Sequence, residues 1–343
     1  MSLSITGHPG TPAGRRDPAP NRQPVEVPAR ARPWAVLPWT GGVAVAVTAV
    51  WLAVVGWHAL GTPADAYHAL AVAQMRTVGP ALLIGVALVF AVERIRPAVP
   101  RPWRCRAHLV DAAYLLLFAG MAPLVALLDT GFAVMVERRA RFLLLGRLPV
   151  ASQFVISIAT LVGIDAVNWA AHVANHRSSV FWRFHALHHS QEDMSVFTTF
   201  RTHPLAHFSY APALLPALIL GASGATPAWT LIAYGCLVTL PHANLPWTFG
   251  PLGQIFVSPA YHRLHHATAP IGGRAVVNFG FVLSIWDRMA GLAADPAPGQ
   301  VGPTGIAGRP VPIEQHGPGR SVLRVVSAQL AQPFRPHDPM GAS

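Results

Sequence analysis

The sequence predicts an all-α membrane protein in which several transmembrane helices carry, next to their ends, a histidine-rich site for two metal ions. Three observations predict this class. Hydrophobic residues make up 52% of the 343 residues and charged residues only 11%, against about 25% charged in an ordinary soluble domain. The apolar residues fall into runs, several of which approach or exceed the roughly 20 residues that cross a bilayer. Eight of the 17 histidines lie in three tight groups next to these runs.

The charge and cysteine content narrow the function. The formal charge of +11 comes from arginine, because the sequence contains no lysine. Most arginines flank apolar runs, as the positive-inside rule of membrane proteins expects, whereas a nucleic-acid binder gathers its charge on a polar face or tail. We therefore expect no nucleic-acid partner. Cys105 and Cys236 are far apart in the sequence and are expected to be unpaired thiols.

The elements follow in order along the chain. Residues 1–32 are rich in Pro, Arg and Ala, which predicts a disordered cytoplasmic arm, and they lack the apolar region of a secretory signal peptide. The last two apolar runs form a predicted hairpin, joined by Gly-Ala-Ser-Gly-Ala. The six runs are approximately Trp34 to Leu60, Val78 to Val92, Leu109 to Leu128, Val150 to Ala171, Leu205 to Gly221 and Pro227 to Leu245.

Six spans would place both termini and all three histidine groups on one side of the membrane. We expect that side to be the cytoplasm of a bacterial inner membrane, because it carries many arginines. Residues 129–148 contain four arginines on the opposite side of this count. They fit an amphipathic interfacial helix, and they fit equally a re-entrant pair formed by the third and fourth runs. The arginines on the histidine side are Arg15, Arg16, Arg22, Arg177, Arg183, Arg263 and Arg274.

The sequence pattern therefore predicts four parts of the chain. The arm of residues 1–32 is followed by an N-terminal transmembrane region, 33–148. A catalytic region with the histidine boxes and the membrane hairpin covers 149–292. The Pro/Gly-rich tail, 293–343, contains one short helical stretch near Ser321 to Gln332.

The fourth run ends in a helical face that carries two histidines. Spacings of 4, 3 and 4 residues put Asp165, Trp169, His172 and His176 on one side of a helix. Histidines at i and i+4 can converge on one metal, and we expect Asp165 to orient a ring by accepting its hydrogen bond. An ionisable residue in an apolar span is costly and functional by default. Alone, however, the histidine pair also fits interfacial polar residues, and Asp165 also fits a hydrogen bond between packed helices.

The motif H-x-x-H-H occurs twice, on either side of the predicted hairpin, and is more specific. Adjacent histidines on a helix differ by about 100° around its axis, so each copy can address two metals rather than one. Two copies together with the H-x-x-x-H pair favour a shared site over chance. The copies are His185, His188 and His189, then His262, His265 and His266.

Two further histidines lie near the same membrane face. His242 ends the sixth run, and we expect a metal ligand there rather than a capping residue. His203 begins the fifth run, where a ligand, an outer partner of a ligand and a plain interfacial residue all remain open.

The type of metal is only partly constrained by these residues. Without a cysteine cluster or an H-E-x-x-H motif, iron–sulfur sites, cysteine-type zinc sites and zincins are disfavoured. Eight or nine imidazoles exceed the ligand set of one tetrahedral zinc and suffice for two metals with open positions. Imidazole suits iron, zinc and copper alike, so ligand type alone does not select iron.

The combined motifs resemble the fatty acid hydroxylase/sterol desaturase superfamily of membrane di-iron oxygenases. The order H-x-x-x-H, H-x-x-H-H and H-x-x-H-H around a hairpin is that of the superfamily, and the likeness spans about residues 85–292. Trp169 stands where tyrosine is common, a departure without evident consequence. The remaining matches are D-x-x-x-[YW]-x-x-H-x-x-x-H at Asp165 to His176, H-H-S at His188 to Ser190, T-x-R-x-H-P at Thr199 to Pro204, H-x-N at His242 to Asn244, N-[FY]-G at Asn278 to Gly280, and W-D at Trp286 and Asp287.

The resemblance implies a membrane enzyme whose cytosolic cap holds two Fe ions, with zinc as a substitute in purified protein. O₂ and two electrons from a separate ferredoxin- or cytochrome-type donor would hydroxylate or desaturate a lipid such as a sterol or fatty acyl chain. Asp165 and Asn244 would support the ligands, His203 would be a further candidate, and Asn278 and Asp287 would orient the cap or the ligands. The implied ligands are His172, His176, His185, His188, His189, His242, His262, His265 and His266.

A rival interpretation keeps the metal but removes the catalysis. In it, histidine-bound zinc only stabilises the cytosolic cap of a non-catalytic membrane protein. Replacement of a single histidine separates the two, because an oxygenase would lose product while staying folded. A histidine proton relay in a transporter fits less well, since transporter sites lie near the bilayer midplane.

Overall fold

The computed structural model describes residues 79–101, 106–140, 153–220, 225–297, 299–307 and 321–335, and the single positions 72, 76 and 142. In these residues the regular elements are helical, and extended pairing is limited to isolated bridges. The predicted all-α class is confirmed. The α-helices are α1 (Gly79–Ile95), α2 (Arg106–Arg139), α3 (Gln153–Arg177), α4 (Ser179–His189), α5 (Leu215–Ile219), α6 (Ala225–Thr239), α7 (Pro259–His265), α8 (Ile285–Met289) and α9 (Val322–Ala331).

Two of these helices, α2 and the stretch Phe154–Arg177 of α3, are long and apolar enough to cross a membrane. Their large apolar side chains face outward: Leu116 is 74% exposed and Phe154 is 76% exposed. Helices that display apolar side chains all along one face require an apolar environment there. The protein is therefore membrane-associated through these helices.

Of the other predicted spans, the second is slightly longer than the sequence suggested, while the fifth and sixth are less regular or shorter. The second run forms α1, with 17 residues. The fifth run forms a 3₁₀ helix, Pro204–Leu214, which continues into the five residues of α5. Pro212 and Pro216 lie in this stretch, and proline lacks the N–H that a regular α-helix needs. The sixth run forms α6, with 15 residues, while the first run and the arm lie outside the described residues.

The structure describes part of the arginine-rich segment after the third run. Residues 129–139 continue α2 without a break, past Pro123 and up to Arg139. A separate interfacial helix beginning at 129 is therefore wrong for this part, while the re-entrant pair of the third and fourth runs stays a prediction. Of the following residues, 141 and 143–150 lie outside the described ranges.

The C-terminal region joins the core. The predicted helix near Ser321 is confirmed as α9, and the Ser321 side chain caps it by accepting from the Arg324 N–H. The Tyr114 hydroxyl of α2 donates to Gln329 Oε1 at 3.0 Å. Val325 packs into a cluster with Val110 of α2 and Leu187 of α4. The sequence motifs end before this helix, yet it packs directly behind α4 and its histidines.

Candidate metal centre

Four helical segments deliver nine histidines to one buried region. Helices α3, α4 and α7, together with the C-cap residue of α7, carry eight of them, and a 3₁₀ turn, Leu240–His242, carries the ninth. Serine caps fix the starts of two helices: Ser178 accepts from the Phe181 N–H of α4, and Ser258 accepts from the Tyr261 N–H of α7. An N-cap hydrogen bond stabilises a helix by about 1 kcal/mol.

The nine rings separate into two groups, each with its potential ligand atoms within 4.8 Å of one another. Either group could hold a metal ion. The nine histidines are those singled out in the sequence. The five-histidine group contains His172, His176, His185, His189 and His265, and the four-histidine group contains His188, His242, His262 and His266.

Within each group, Nε2 atoms face one another at short range. In the five-histidine group, His172 and His185 are 3.1 Å apart, as are His265 and His189. In the four-histidine group, the Nε2 atom of His242 lies 3.0 Å from that of His188 and 3.0 Å from that of His262. Two nitrogen ligands about 2.1 Å from a metal and at right angles would lie about 3 Å apart. The spacing thus fits imidazoles that share an ion.

Backbone carbonyls fix two rings of the five-histidine group. The Nδ1–H of His172 donates to the Phe279 carbonyl at 2.8 Å, and that of His265 donates to the Val277 carbonyl at 2.7 Å. A carbonyl can only accept, so the proton sits on Nδ1 and the Nε2 lone pair points into the group. Such a hydrogen bond selects tautomer and orientation in metal-binding histidines.

Unsatisfied nitrogens test the fit to a metal independently. The Nε2 atoms of His176 and His266 are buried without a hydrogen-bond partner among the described residues. Buried polar atoms rarely lack partners, and an ion would satisfy them. Burial first, and neighbouring imidazoles second, lower the pKa of six histidines outside the membrane helix well below the ordinary 6.5, so they are neutral and able to bind a metal near pH 7. These are His185, His188, His189, His262, His265 and His266.

The loop of residues 277–280 is held by Asp287. The Asp287 carboxylate accepts from the N–H groups of Phe279 at 2.9 Å and Gly280 at 2.8 Å. It also accepts from the Trp169 indole at 2.9 Å and the Tyr261 hydroxyl at 3.2 Å. Because the Phe279 carbonyl in turn holds His172, Asp287 is a positioning residue for a ring of the five-histidine group.

Backbone requirements explain the rest of the N-F-G sequence in this loop. Asn278 has a φ of 62°, which asparagine tolerates better than most residues, and its amide donates to the carbonyls of Tyr261 and Ala294. A Cβ at Gly280 would lie 2.7 Å from the Leu283 carbonyl oxygen, so only glycine fits there.

Asp165 lies elsewhere than the sequence suggested. Its buried carboxylate accepts from the N–H groups of Val282 and Leu283, both at 3.0 Å, and from the Trp286 indole at 2.9 Å. It therefore ties α3 to the turn before α8, and the expectation that it orients a histidine ring is wrong.

The side chains of Asn244 and His203 also form hydrogen bonds with residues outside the two histidine groups. The Asn244 side chain bonds to Val99 in both directions and accepts from Arg263 at 2.9 Å. His203 donates from Nε2 to the Leu330 carbonyl at 3.1 Å and accepts at Nδ1 from the Leu205 N–H at 3.1 Å. Both ring nitrogens of His203 are thus occupied, so of the three roles left open for it a ligand role is excluded in this arrangement.

Three contacts near the histidines were not predicted from the sequence. The Thr199 hydroxyl lies 3.1 Å from Nδ1 of His242, and its place in a T-x-R-x-H-P motif was the available signal. Arg201 and Asp111 form a buried ion pair at 2.9 Å; their separation of 90 residues hid this contact. Glu93 accepts from the Asn244 N–H at 2.9 Å, which no local pattern indicates.

The fold and the two histidine groups define a class, a helical membrane-associated metalloprotein with a buried histidine-rich centre. The family follows from comparison with known proteins. The fatty acid hydroxylase family model matches residues 157–292, which contain all nine histidines. The chain belongs to the fatty acid hydroxylase family.

Its relatives are lipid hydroxylases. The chain is 31% identical over 259 residues to ornithine lipid hydroxylase OlsE of Rhizobium tropici, covering 73% of each chain. It is 30% identical over 145 residues to alkylglycerol monooxygenase of Caenorhabditis elegans, covering 36% of this chain and 24% of that one. The corresponding enzyme of Danio rerio is 31% identical over 137 residues, covering 39% and 29%. No solved structure matches this chain.

Proposed function

We propose that this protein is a di-iron lipid monooxygenase of the bacterial inner membrane, with its histidine centre on the cytoplasmic side. The observation that carries the proposal is the convergence of nine imidazoles into two adjacent groups of five and four. Hydroxylation is favoured over desaturation, because the matched family and the named relatives are hydroxylases and monooxygenases.

The donor set is compatible with iron in both groups, and the proposed reaction requires a redox-active metal. Bound iron would supply the redox chemistry that activates O₂, which zinc cannot supply because it has no redox chemistry. The histidines would hold the ions as neutral ligands. The carbonyls of Phe279 and Val277 would keep two of the rings aimed inward. The burial of the groups would exclude water from the reacting C–H bond.

The overall reaction requires an external reductant. Insertion of one oxygen atom of O₂ into a C–H bond yields an alcohol, and the second oxygen atom leaves as water after uptake of two electrons and two protons. The recognised motifs provide no electron carrier within the chain. A separate one-electron donor protein of the ferredoxin or cytochrome type would reach the centre from the cytoplasm.

The lipid is proposed from the most extensive match. Because the ornithine lipid hydroxylase is matched over 73% of its length, an acylated amino-acid lipid of the bilayer is the first substrate to test. Such a lipid would present its acyl chain to the centre from the membrane side, where α2 and α3 expose their apolar faces.

The test is lipid mass spectrometry in a host that makes ornithine lipids, with and without the protein. We expect a lipid that has gained one oxygen atom, dependent on O₂; loss of two hydrogen atoms would indicate desaturation instead. His188→Ala and His265→Ala should abolish the product while the protein stays inserted and folded, and His207→Gln, outside both groups, serves as control. Unfolding of both alanine variants, without product from the parent protein, would favour the zinc-stabilised cap.

A further inference from the structure

An exposed apolar patch lies on the cap, between the hairpin and the last histidine helix. It consists of Trp247 (38% exposed), Leu252 (60%), Ile255 (45%), Phe256 (39%) and Met289 (79%). Single exposed apolar residues are common on protein surfaces, but a contiguous cluster marks a surface that contacts something apolar.

Backbone hydrogen bonds make this patch one rigid unit. The Val257 N–H donates to the Val282 carbonyl, and the Ser284 N–H donates to the Ile255 carbonyl, both at 2.8 Å. The Arg288 guanidinium donates to the Gly253 carbonyl at 3.2 Å. Met289 is therefore fixed beside the turn that carries Leu252, Ile255 and Phe256.

Helix α3 places the patch at the end of a lipid-facing surface. Asp165 holds the turn before α8 through the N–H groups of Val282 and Leu283. The exposed large apolar residues of α3 end at Val162, three residues before Asp165, or about 4.5 Å along the axis. The patch thus begins at the level where the apolar face of α3 stops.

Helix α1 independently places the patch at the end of an outward apolar face. Its exposed apolar residues include Leu88, Val92 and Ile95. Glu93, near the end of this face, accepts from the Asn244 N–H at 2.9 Å. Asn244 is three residues before Trp247, so the start of the patch adjoins the end of a second outward apolar face.

We propose that this apolar patch lies in the headgroup region of the lipid bilayer, so that membrane contact continues from the helices onto the cap. Its continuity with two outward apolar faces favours a bilayer over a protein partner. Tryptophan is enriched at membrane interfaces. Exposed Arg274 is bonded to the Gly291 carbonyl, two residues after Met289, and offers a positive charge to lipid phosphates. The proposal depends on the membrane association of the helices and is independent of the metal and the reaction.

The test uses single cysteines in the full-length protein, in a Cys105→Ser, Cys236→Ser background. Leu252→Cys and Met289→Cys report on the patch. Ser179→Cys is the control, because it is exposed and follows the end of α3, about 18 Å beyond Asp165. Each is labelled with an environment-sensitive fluorophore in nanodiscs of phosphatidylcholine and phosphatidylglycerol, and quenched by iodide in water or by a lipid spin-labelled near its headgroup.

We expect the labels at 252 and 289 to be quenched at least threefold more by the spin-labelled lipid than the label at 179, and correspondingly less by iodide. Iodide quenching equal to that at 179 would overturn the proposal by showing a water-exposed patch. Protection from both quenchers would also overturn it, because a protein, such as a second copy, would then cover the patch. A monodisperse size-exclusion profile and an unchanged helical circular-dichroism spectrum confirm that each labelled protein is folded.

Discussion

The five-histidine and four-histidine groups differ in how their rings are held. In the five-histidine group, His172 and His265 donate to two carbonyls of one short loop, which Asp287 anchors. In the four-histidine group, Nδ1 of His262 is buried without a partner among the described residues. The backbone of Arg201 and that of Val238 lie near His188 and His242, but Nδ1 of His188 makes no close hydrogen bond there, and Nδ1 of His242 lies 3.1 Å from the Thr199 hydroxyl. The five-histidine group is thus held by two close hydrogen bonds to one anchored loop, while the four-histidine group has weaker backbone contacts from separate segments and depends more on the ion itself.

This difference implies unequal metal retention. A ring held by a hydrogen bond loses little conformational freedom when it binds a metal, whereas an unheld ring must be ordered at that moment. We expect the five-histidine group to bind its ion more tightly and the four-histidine group to exchange its ion more readily.

Removal of a ligand should have the largest effect. His265→Ala and His262→Ala should each reduce lipid hydroxylation to background, because each ion loses one of its few protein ligands. Metal content should fall to about one ion per chain in each variant: His262→Ala should empty the four-histidine group and His265→Ala the five-histidine group, and the stacking of these two rings on each other is lost alike in both. Elemental analysis of purified protein measures this, and equal loss of both ions in both variants would contradict independent groups.

Acid should release the two ions in sequence. Protons compete with metal for imidazole, and the less oriented group should empty first as the pH falls from 8 towards 5. Dialysis at graded pH followed by elemental analysis gives the order. Simultaneous release would show that orientation by the loop does not matter.

The metal-free protein should also become less stable as the pH falls. Burial keeps the pKa of histidines such as His188 and His266 below 6.5 in the folded state. The unfolded chain therefore binds more protons once the pH falls below about 6.5, and the free energy of unfolding decreases there. Above that pH both states are neutral and the effect vanishes. Thermal unfolding of metal-free protein at pH 5.5 and 8 measures it, and a lower melting temperature at pH 8 would contradict the sign.

Asp287→Asn should weaken the five-histidine group selectively. An amide cannot accept from both the Phe279 and Gly280 N–H groups as the carboxylate does, so the loop that holds His172 should loosen. Loss of an outer partner of this kind costs about 10- to 100-fold in metal affinity. Asp295→Asn is the matched control, since Asp295 is more than half exposed and pairs with Arg288. A drop in metal at the four-histidine group alone would refute the assignment.

The sequence predicted the candidate ligand histidines better than the residues that hold them in place. Periodicity and the duplicated H-x-x-H-H motif identified eight of the nine histidines that the two groups contain, because histidines on one helix keep a local spacing, and the ninth, His242, was indicated by its place at the end of the sixth run. Asp165 was placed wrongly and the role of His203 was left open, since their partners, Val282 and Leu330, are 117 and 127 residues away. Apolar runs likewise located the helices, but hydropathy did not show that Pro212 lies in a 3₁₀ helix or that α9 packs onto α2.

Thr199→Val should give the smallest effect and should fall on the four-histidine group. The Thr199 hydroxyl can accept from Nδ1 of His242 at 3.1 Å while it donates to the Thr239 carbonyl at 3.5 Å. Valine keeps the shape of the side chain and removes this hydrogen bond, which contributes about 1 kcal/mol. That corresponds to about a fivefold loss of metal affinity, confined to one ion.

A chelator titration that follows metal release from each group measures the effect, with Thr202→Val as control because Thr202 lies outside both groups. If Thr199→Val instead released the ion of the five-histidine group, the two groups would be coupled through their shared helix α4. The two groups would then form a single cooperative site, and the difference in how their rings are held would not determine metal binding.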